Sequence, residues 1–126
     1  MTRPALGWVP AVLWAAAIFV VSARPSVSIP SFRGADKLLH FGAYALLGFL
    51  LAHGAAASGL RPGWAVALGW LYGASDELHQ GFVPGRSMDP ADWAADALGV
   101  LAGVFAYSRF QAWHRGRTPA AARASR

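Results

Sequence analysis

The chain has 126 residues, of which 56% are hydrophobic, and only 11 Lys and Arg and 6 Asp and Glu carry formal charge, for a net +5. One small core cannot bury that much apolar material, which excludes an ordinary soluble monomer. No cysteine is present, which excludes a disulfide framework, a thiolate metal site and a thiol nucleophile, and the basic residues flank apolar blocks as membrane topology demands, which argues against nucleic acid as a partner.

The apolar residues fall into four blocks. About 20 residues cross roughly 30 Å of hydrocarbon, so four crossings use around 80 residues and leave short loops. With no alternating pattern to suggest a barrel, the predicted fold class is all-α: an integral membrane four-helix bundle with the lipid bilayer as its partner. The first block predicts a helix over about 6–22. Its end, Val21-Ser22-Ala23, follows the basic Arg3 and resembles a signal-peptide cleavage site. The block is long for a signal core and holds Trp8 and Trp14, so a retained helix is the reading adopted. The second helix is expected over 37–57, the third over 62–80 and the fourth over 90–110. Pro62 and Pro90 suit a first helical turn, where a missing backbone donor costs nothing. These elements form one domain, 1–112, followed by a basic flexible cytoplasmic tail, 113–126, that anionic lipid headgroups attract. No internal repeat or second domain is evident.

With the N-terminus cytoplasmic, Arg3, Arg61, Arg109, Arg115, Arg117, Arg123 and Arg126 lie inside, against Arg24, Arg33, Lys37 and Arg86 outside. This bias places both termini in the cytoplasm. All six carboxylates, Asp36, Asp76, Glu77, Asp89, Asp92 and Asp96, then fall at or near the outer ends of helices two to four. Asp76, Glu77 and Asp96 lie deep enough to be costly unless they face a bundle interior or a wet cavity.

Helical geometry directs them. Gly69, Gly73, Asp76 and Gln80 share one face of the third helix, and Asp92, Asp96, Gly99 and Gly103 repeat the same spacing on the fourth. Both glycine pairs are small-xxx-small patterns that let membrane helices approach closely. The third and fourth helices are therefore expected to pack through glycine on the cytoplasmic side and open outward into a polar pocket of Asp76, Gln80, Asp92 and Asp96. The same glycine faces suit a homo-oligomer. On the second helix Asp36, His40 and Tyr44 follow one another at four-residue steps and form a third wall. The Pro84-Gly85 turn holds Arg86 over the mouth, where it either pairs with Asp89 or Asp92 or binds a phosphate or carboxylate. Lys37 is a second cation there, or a lysine snorkelling at the interface. Asp76 and Glu77 point about 100° apart and do not make one catalytic pair. His79 reads as a packing residue, and His53 and His114 are given no role.

Asp36-Lys37-Leu38-Leu39-His40-Phe41 with Tyr44, then Ser75-Asp76-Glu77-Leu78-His79-Gln80 with Phe82-Val83-Pro84-Gly85-Arg86-Ser87, then Asp89, Asp92, Asp96 and Gly99 resemble the VanZ-like family. The likeness covers helices two to four almost continuously. It implies a small polytopic membrane protein with a connection to the cell envelope and no known reaction. The family takes its name from a member associated with low-level resistance to the glycopeptide teicoplanin. Its motif residues carry over to Asp36, Lys37, His40, Asp76, Glu77, Gln80, Arg86, Asp92 and Asp96, the last, like Met88, at a variable position of the pattern.

Three functions are compatible with these residues. One is an enzyme or metal-dependent protein acting on a lipid-linked envelope molecule. In it Asp36, His40, Asp76, Glu77 and Asp92 are the candidate catalytic groups, Lys37, Gln80, Arg86 and Asp96 the ligand-binding ones, and His40, Asp76 and Asp92 the candidate ligands of a divalent ion. Another is a non-catalytic binder that sequesters a lipid-linked precursor, an anionic lipid or an antibiotic, or a partner of a larger envelope enzyme. The third is a purely structural interhelical network. The topology has a direct test, since native cysteine is absent: Ser87→Cys reacts with an impermeant thiol reagent in intact cells, and Ser125→Cys does not; the opposite labelling inverts the orientation.

Overall fold

The computed structural model describes residues 3–25 and 34–117. These form α1 (Arg3–Leu6), α2 (Val9–Ser22), α3 (Ala35–Ala57), α4 (Pro62–Gln80) and α5 (Pro90–Arg117), with no strand among the described residues. The first predicted helix is broken in two at Gly7-Trp8. Pro10 lacks the N–H that a continuous helix would donate to Leu6. The chain closes a turn instead, with Trp8 N–H on Ala5 O at 3.2 Å, and restarts at Val9. The break turns the Trp8 indole inward, where its Nε1 donates to Ser58 Oγ at 2.8 Å.

Helix α3 is the axis of the bundle and touches each of the others. It ends in a Schellman motif: Leu60 N–H bonds Ala55 O at 2.8 Å and Gly59 N–H bonds Ala56 O at 3.1 Å, with Gly59 at φ +68°. A left-handed residue is needed there, and glycine takes it without a Cβ penalty. Pro62 then starts α4 as expected from the sequence.

The α5 helix differs from expectation in length. It continues past 110 to Arg117, so residues 113–117 belong to the helix, not to a tail. Gln111 Nε2 donates to Tyr107 Oη at 2.8 Å, Arg115 Nη2 donates to Gln111 Oε1 at 2.9 Å, and the Arg117 guanidinium sits 4.2 Å from the Trp113 ring centroid. Four-residue side-chain pairs and basic groups near a helix C-terminus both favour continuation. The rest of the expected tail, 118–126, lies outside the described residues, as does Arg33.

The glycine faces also pair differently. Gly99 and Gly103 were expected against the third predicted helix, but in the structure they face α3. A Cβ on Gly99 would collide with Phe41 O, and one on Gly103 would overlap Ala45 O and lie 2.7 Å from Phe49 N. A Cβ on Gly48 of α3 would in turn meet the Val100 backbone, with Val100 Cα at 2.9 Å. The Val100 side chain fills the space above Gly69, so α4 joins through a valine knob instead of a glycine-on-glycine seam. The reason is electrostatic: the partners of Asp92 and Asp96 are Lys37 and His40, both on α3.

The interior is small and partly polar. Tyr44, Leu47 and Val100 form one buried cluster and Ala52, Ala55, Ala65 and Tyr107 another. Asp76, Glu77, Gln80 and Asp96 are buried beside them, while Leu13, Leu71 and Phe105 are 65%, 69% and 66% exposed. Large apolar groups thus cover the outside and charged groups sit within. The segments Arg3–Ser22 and Ala35–Ala57 are long and apolar enough to cross a membrane; α4 and α5 fall short by that measure. One end of α4 is spent on Asp76, Glu77, His79 and Gln80, and α5 carries Asp92 and Asp96 at one end and His114, Arg115 and Arg117 at the other.

Gly103→Leu therefore separates α3 from α5. The detergent-purified variant is expected to lose about 1–3 kcal/mol or more of stability, as for other overpacked contacts. At Gly42 an added Cβ meets nothing within 4 Å. Gly42→Ala leaves the stability unchanged or raises it by up to about 1 kcal/mol, read from thermal melting.

Candidate functional site

All six carboxylates gather at one end of the bundle, where α2 and α4 finish and α3 and α5 begin. Asp76 and Glu77 end α4 and point to different neighbours, as their angular separation requires. Asp76 is held by three hydroxyl or amide donors. Ser22 Oγ donates to its Oδ1, and Tyr44 Oη and Gln80 Nε2 reach its Oδ2 at 3.1 and 3.5 Å. One buried carboxylate thereby ties together α2, α3 and α4. Glu77 turns the other way, and its Oε2 accepts the Asp89 backbone N–H at 3.1 Å.

Lys37 forms the second group. Its Nζ lies 2.9 Å from Asp36, 2.7 Å from Asp89 and 2.5 Å from Asp92. Asp89 also caps α5: its Oδ1 accepts the Ala91 N–H at 2.9 Å, one of the donors a helix start leaves unpaired. The Lys37 ammonium, followed by the Ala91 N–H, holds the Asp89 carboxyl below the usual carboxylate range. A carboxyl so lowered supports the fold fully above its ordinary pKa, and that support is lost as pH falls through the lowered value.

The third group centres on His40. Its Nδ1 is 2.8 Å from Asp96 Oδ1 and its Nε2 is 3.6 Å from Asp92 Oδ2. Glu77 completes the group, with one potential ligand atom each from His40, Glu77 and Asp96 lying within 4.8 Å of one another. The three residues come from three different helices, α3, α4 and α5.

Beside these groups opens a cavity of about 500 Å³ between α2, α3 and α4. Trp14, Ala17, Ile18, Val21 and Leu39 give it apolar walls, and His40, Tyr44, Asp76 and Gln80 give it a polar side. Arg86 and Asp36 also line it. Arg86 is placed by the loop before α5. Val83-Pro84-Gly85-Arg86 is a turn closed by Arg86 N–H on Val83 O at 3.1 Å, with Gly85 at φ +79°. Proline then glycine at the two central positions suits that geometry. The Arg86 Nε donates to the Arg24 backbone carbonyl at 2.8 Å, which anchors the guanidinium at the end of α2.

The structure thus separates residues that the sequence placed in one pocket. Asp76 and Gln80 line the cavity, while Asp92 and Asp96 face Lys37 and His40 beside it. The carboxylates gathered with His40 are Glu77 and Asp96 where Asp76 and Asp92 were expected as fellow metal ligands. Asp89 and Asp92 pair with Lys37, and among the described residues Arg86 has no carboxylate partner. Asp36 sits exposed at the rim, paired with Lys37. His79 stacks on Phe19 with ring centroids 4.9 Å apart. At the opposite end His53 Nδ1 meets Tyr107 Oη at 3.3 Å, and His114 packs its ring on Phe110 and Trp113.

Sequence reasoning gave the first helix no part in the site, yet it supplies Trp14, Ala17, Ile18, Val21 and Ser22 to the cavity. The signal was present in Ser22, the one polar residue of its block, but the small residues around it also spell a cleavage motif.

A four-segment helical bundle with large apolar side chains outside and clustered carboxylates at one end is the class of protein that fold and site define. The chain belongs to the VanZ/LLP1 family, whose model matches residues 5–111. No curated protein and no solved structure matches it.

Lys37 is the cation on which three carboxylates depend. Lys37→Met is expected to lower the melting temperature, and Lys37→Met with Asp92→Asn to recover part of the loss. A double-mutant cycle should return a coupling of about 0.5–3 kcal/mol; additivity of the two changes would show that the cage contributes nothing.

Proposed function

We propose that this VanZ-type protein is a multi-pass membrane protein of four spans, both termini cytoplasmic, that binds a lipid-linked or otherwise anionic cell-envelope molecule at its outer end. The observation that carries the reading is the two-sided cavity: apolar walls from Trp14, Ile18 and Leu39, polar groups from Tyr44 and Gln80, and Arg86 at its edge. Such a site matches an amphiphile whose hydrocarbon follows the walls and whose anionic group meets the guanidinium. Lys37 is engaged by three carboxylates, so Arg86 is the cation the cavity offers.

Membrane insertion of all four segments rests on the reversed distribution of polarity. Exposed Leu, Phe and Val on the outside of the bundle need hydrocarbon around them, and α4 and α5 keep their acidic ends against other helices. Ser22 bonding Asp76 supports a retained first helix, because cleavage after Ala23 would remove one of the donors to a buried carboxylate. A link to glycopeptide resistance rests on the family resemblance and is a phenotype to assay.

A second reading has its own support. Asp76 spends its acceptors on Ser22, Tyr44 and Gln80, the behaviour of a group that fixes a bundle. In this reading the polar end is architecture and the cavity has no ligand. Titration of the detergent-purified protein with a polyprenyl phosphate and with the uncharged polyprenol, followed by native mass spectrometry, separates the two. Arg86→Gln is expected to weaken phosphate binding about 10-fold, the value of one lost charge-assisted contact of about 1.4 kcal/mol, without moving the melting temperature. Ala17→Trp, which fills the cavity, should abolish binding of both. Equal binding of phosphate and alcohol, or no binding to either, favours the architectural reading.

A further inference from the structure

The His40 group shows an imbalance that its own hydrogen bonds leave open. Asp96 is 1% and Glu77 7% exposed, yet Asp96 Oδ2 and Glu77 Oε1 have no hydrogen-bond partner. Buried carboxylate oxygens in that condition carry a desolvation cost with nothing to offset it. Each residue has spent its other oxygen: Asp96 Oδ1 faces His40 Nδ1 at 2.8 Å and Glu77 Oε2 accepts the Asp89 N–H at 3.1 Å. The charge around them is also one-sided. Asp36, Asp89, Asp92, Asp96 and Glu77 lie in one connected group, and the cations paired with it among the described residues are Lys37 and, when protonated, His40. Carboxylates outnumber cations even then.

We infer that His40, Glu77 and Asp96 form a binding site for a divalent first-row metal ion. Ligand atoms from the three residues already lie within 4.8 Å of one another. Ions of this kind hold nitrogen and oxygen ligands at about 2.0–2.2 Å, which sets ligand atoms about 3–4 Å apart, so a small rotamer adjustment closes the set. One imidazole with two carboxylates suits Mn²⁺ or Zn²⁺ better than Ca²⁺ or Mg²⁺, which prefer oxygen alone. Asp92 Oδ2, 3.6 Å from His40 Nε2, stands just outside the set. The ion satisfies the two orphaned oxygens, corrects the charge balance and clamps α3, α4 and α5 at one point. The site differs from the set expected from sequence, in which Asp76 and Asp92 accompanied His40. It does not depend on the cavity being occupied, although His40 also lines that cavity.

The test uses the full chain in detergent, stripped with a chelator, dialysed and titrated with Mn²⁺ alone. Electron paramagnetic resonance should show one Mn²⁺ bound per chain, with a ¹⁴N coupling from an imidazole that His40→Gln removes. Glu77→Gln and Asp96→Asn should each weaken binding about 10-fold or more, whereas His53→Gln, beside Tyr107 at the opposite end of the bundle, leaves it unchanged. Wild-type protein should also melt at a higher temperature with Mn²⁺ than without. The nitrogen signature and the thermal shift are read on wild type, so a variant that fails to fold does not blunt the result. Three outcomes overturn the site: Mn²⁺ that stays free in the presence of excess protein, bound Mn²⁺ without nitrogen coupling, or affinity that Glu77→Gln and Asp96→Asn leave unaltered.

Discussion

The backbone-to-backbone contact of α5 on α3 governs the placement of everything polar in this protein. Gly99 and Gly103 leave α5 without a Cβ where it crosses the carbonyls of Phe41 and Ala45, and Gly48 does the same for α3 where it meets Val100. In the four-span arrangement proposed above, where hydrocarbon removes the hydrophobic drive between helices, such close approach is one of the few ways to gain packing energy. It also sets the register. With the glycines at the centre of the crossing, Asp96 and Asp92 fall one and two turns nearer the carboxylate end, level with His40 and Lys37. A different register would leave the same charges buried and alone, which helix packing could not offset.

From that register follows a division of labour among groups that are alike in chemistry. Asp76 receives three neutral donors and joins α2 to α3 and α4. Asp36, Asp89 and Asp92 share one ammonium. Glu77 and Asp96 converge on an imidazole with an oxygen each to spare. Asp89 is the hinge of the arrangement, because its side chain caps α5 and meets Lys37 while its N–H holds Glu77. Arg86, tethered to the Arg24 carbonyl, remains beside a cavity whose walls are apolar. A single end of a small bundle thereby contains a neutralised cage, a carboxylate-rich group and a cationic edge within a few side chains of one another.

Much of this was legible in the residues themselves. The helices at 62–80 and from 90 onward follow from proline at a first turn and an apolar run behind it, and local rules suffice for such boundaries. The divergence of Asp76 and Glu77 follows from helical periodicity alone. The turn before Arg86 follows from Pro84-Gly85. The break at Gly7-Trp8 and the continuation of α5 to Arg117 were less visible. The first depends on one missing N–H at Pro10 within an otherwise apolar run, and the second on side-chain pairs between Tyr107, Gln111 and Arg115 that offset a polar composition.

What the sequence determined by itself was the all-helical class, the collection of every carboxylate at one end, and the family. Each is a property of composition, local periodicity or a motif read along the chain. Only the tertiary structure decided that the fourth predicted helix lies on the second, that Ser22 reaches Asp76, and that His40 gathers Glu77 and Asp96. These partners are 54 residues apart for Ser22 and Asp76 and 56 for His40 and Asp96. Two glycine faces of identical spacing offered equally good seams, and periodicity fixes the direction of a side chain about its own helix without saying which neighbour stands there. That choice was made by Asp92 and Asp96 reaching Lys37 and His40 while Asp76 reaches Ser22, Tyr44 and Gln80, contacts that exist only when all the helices are assembled.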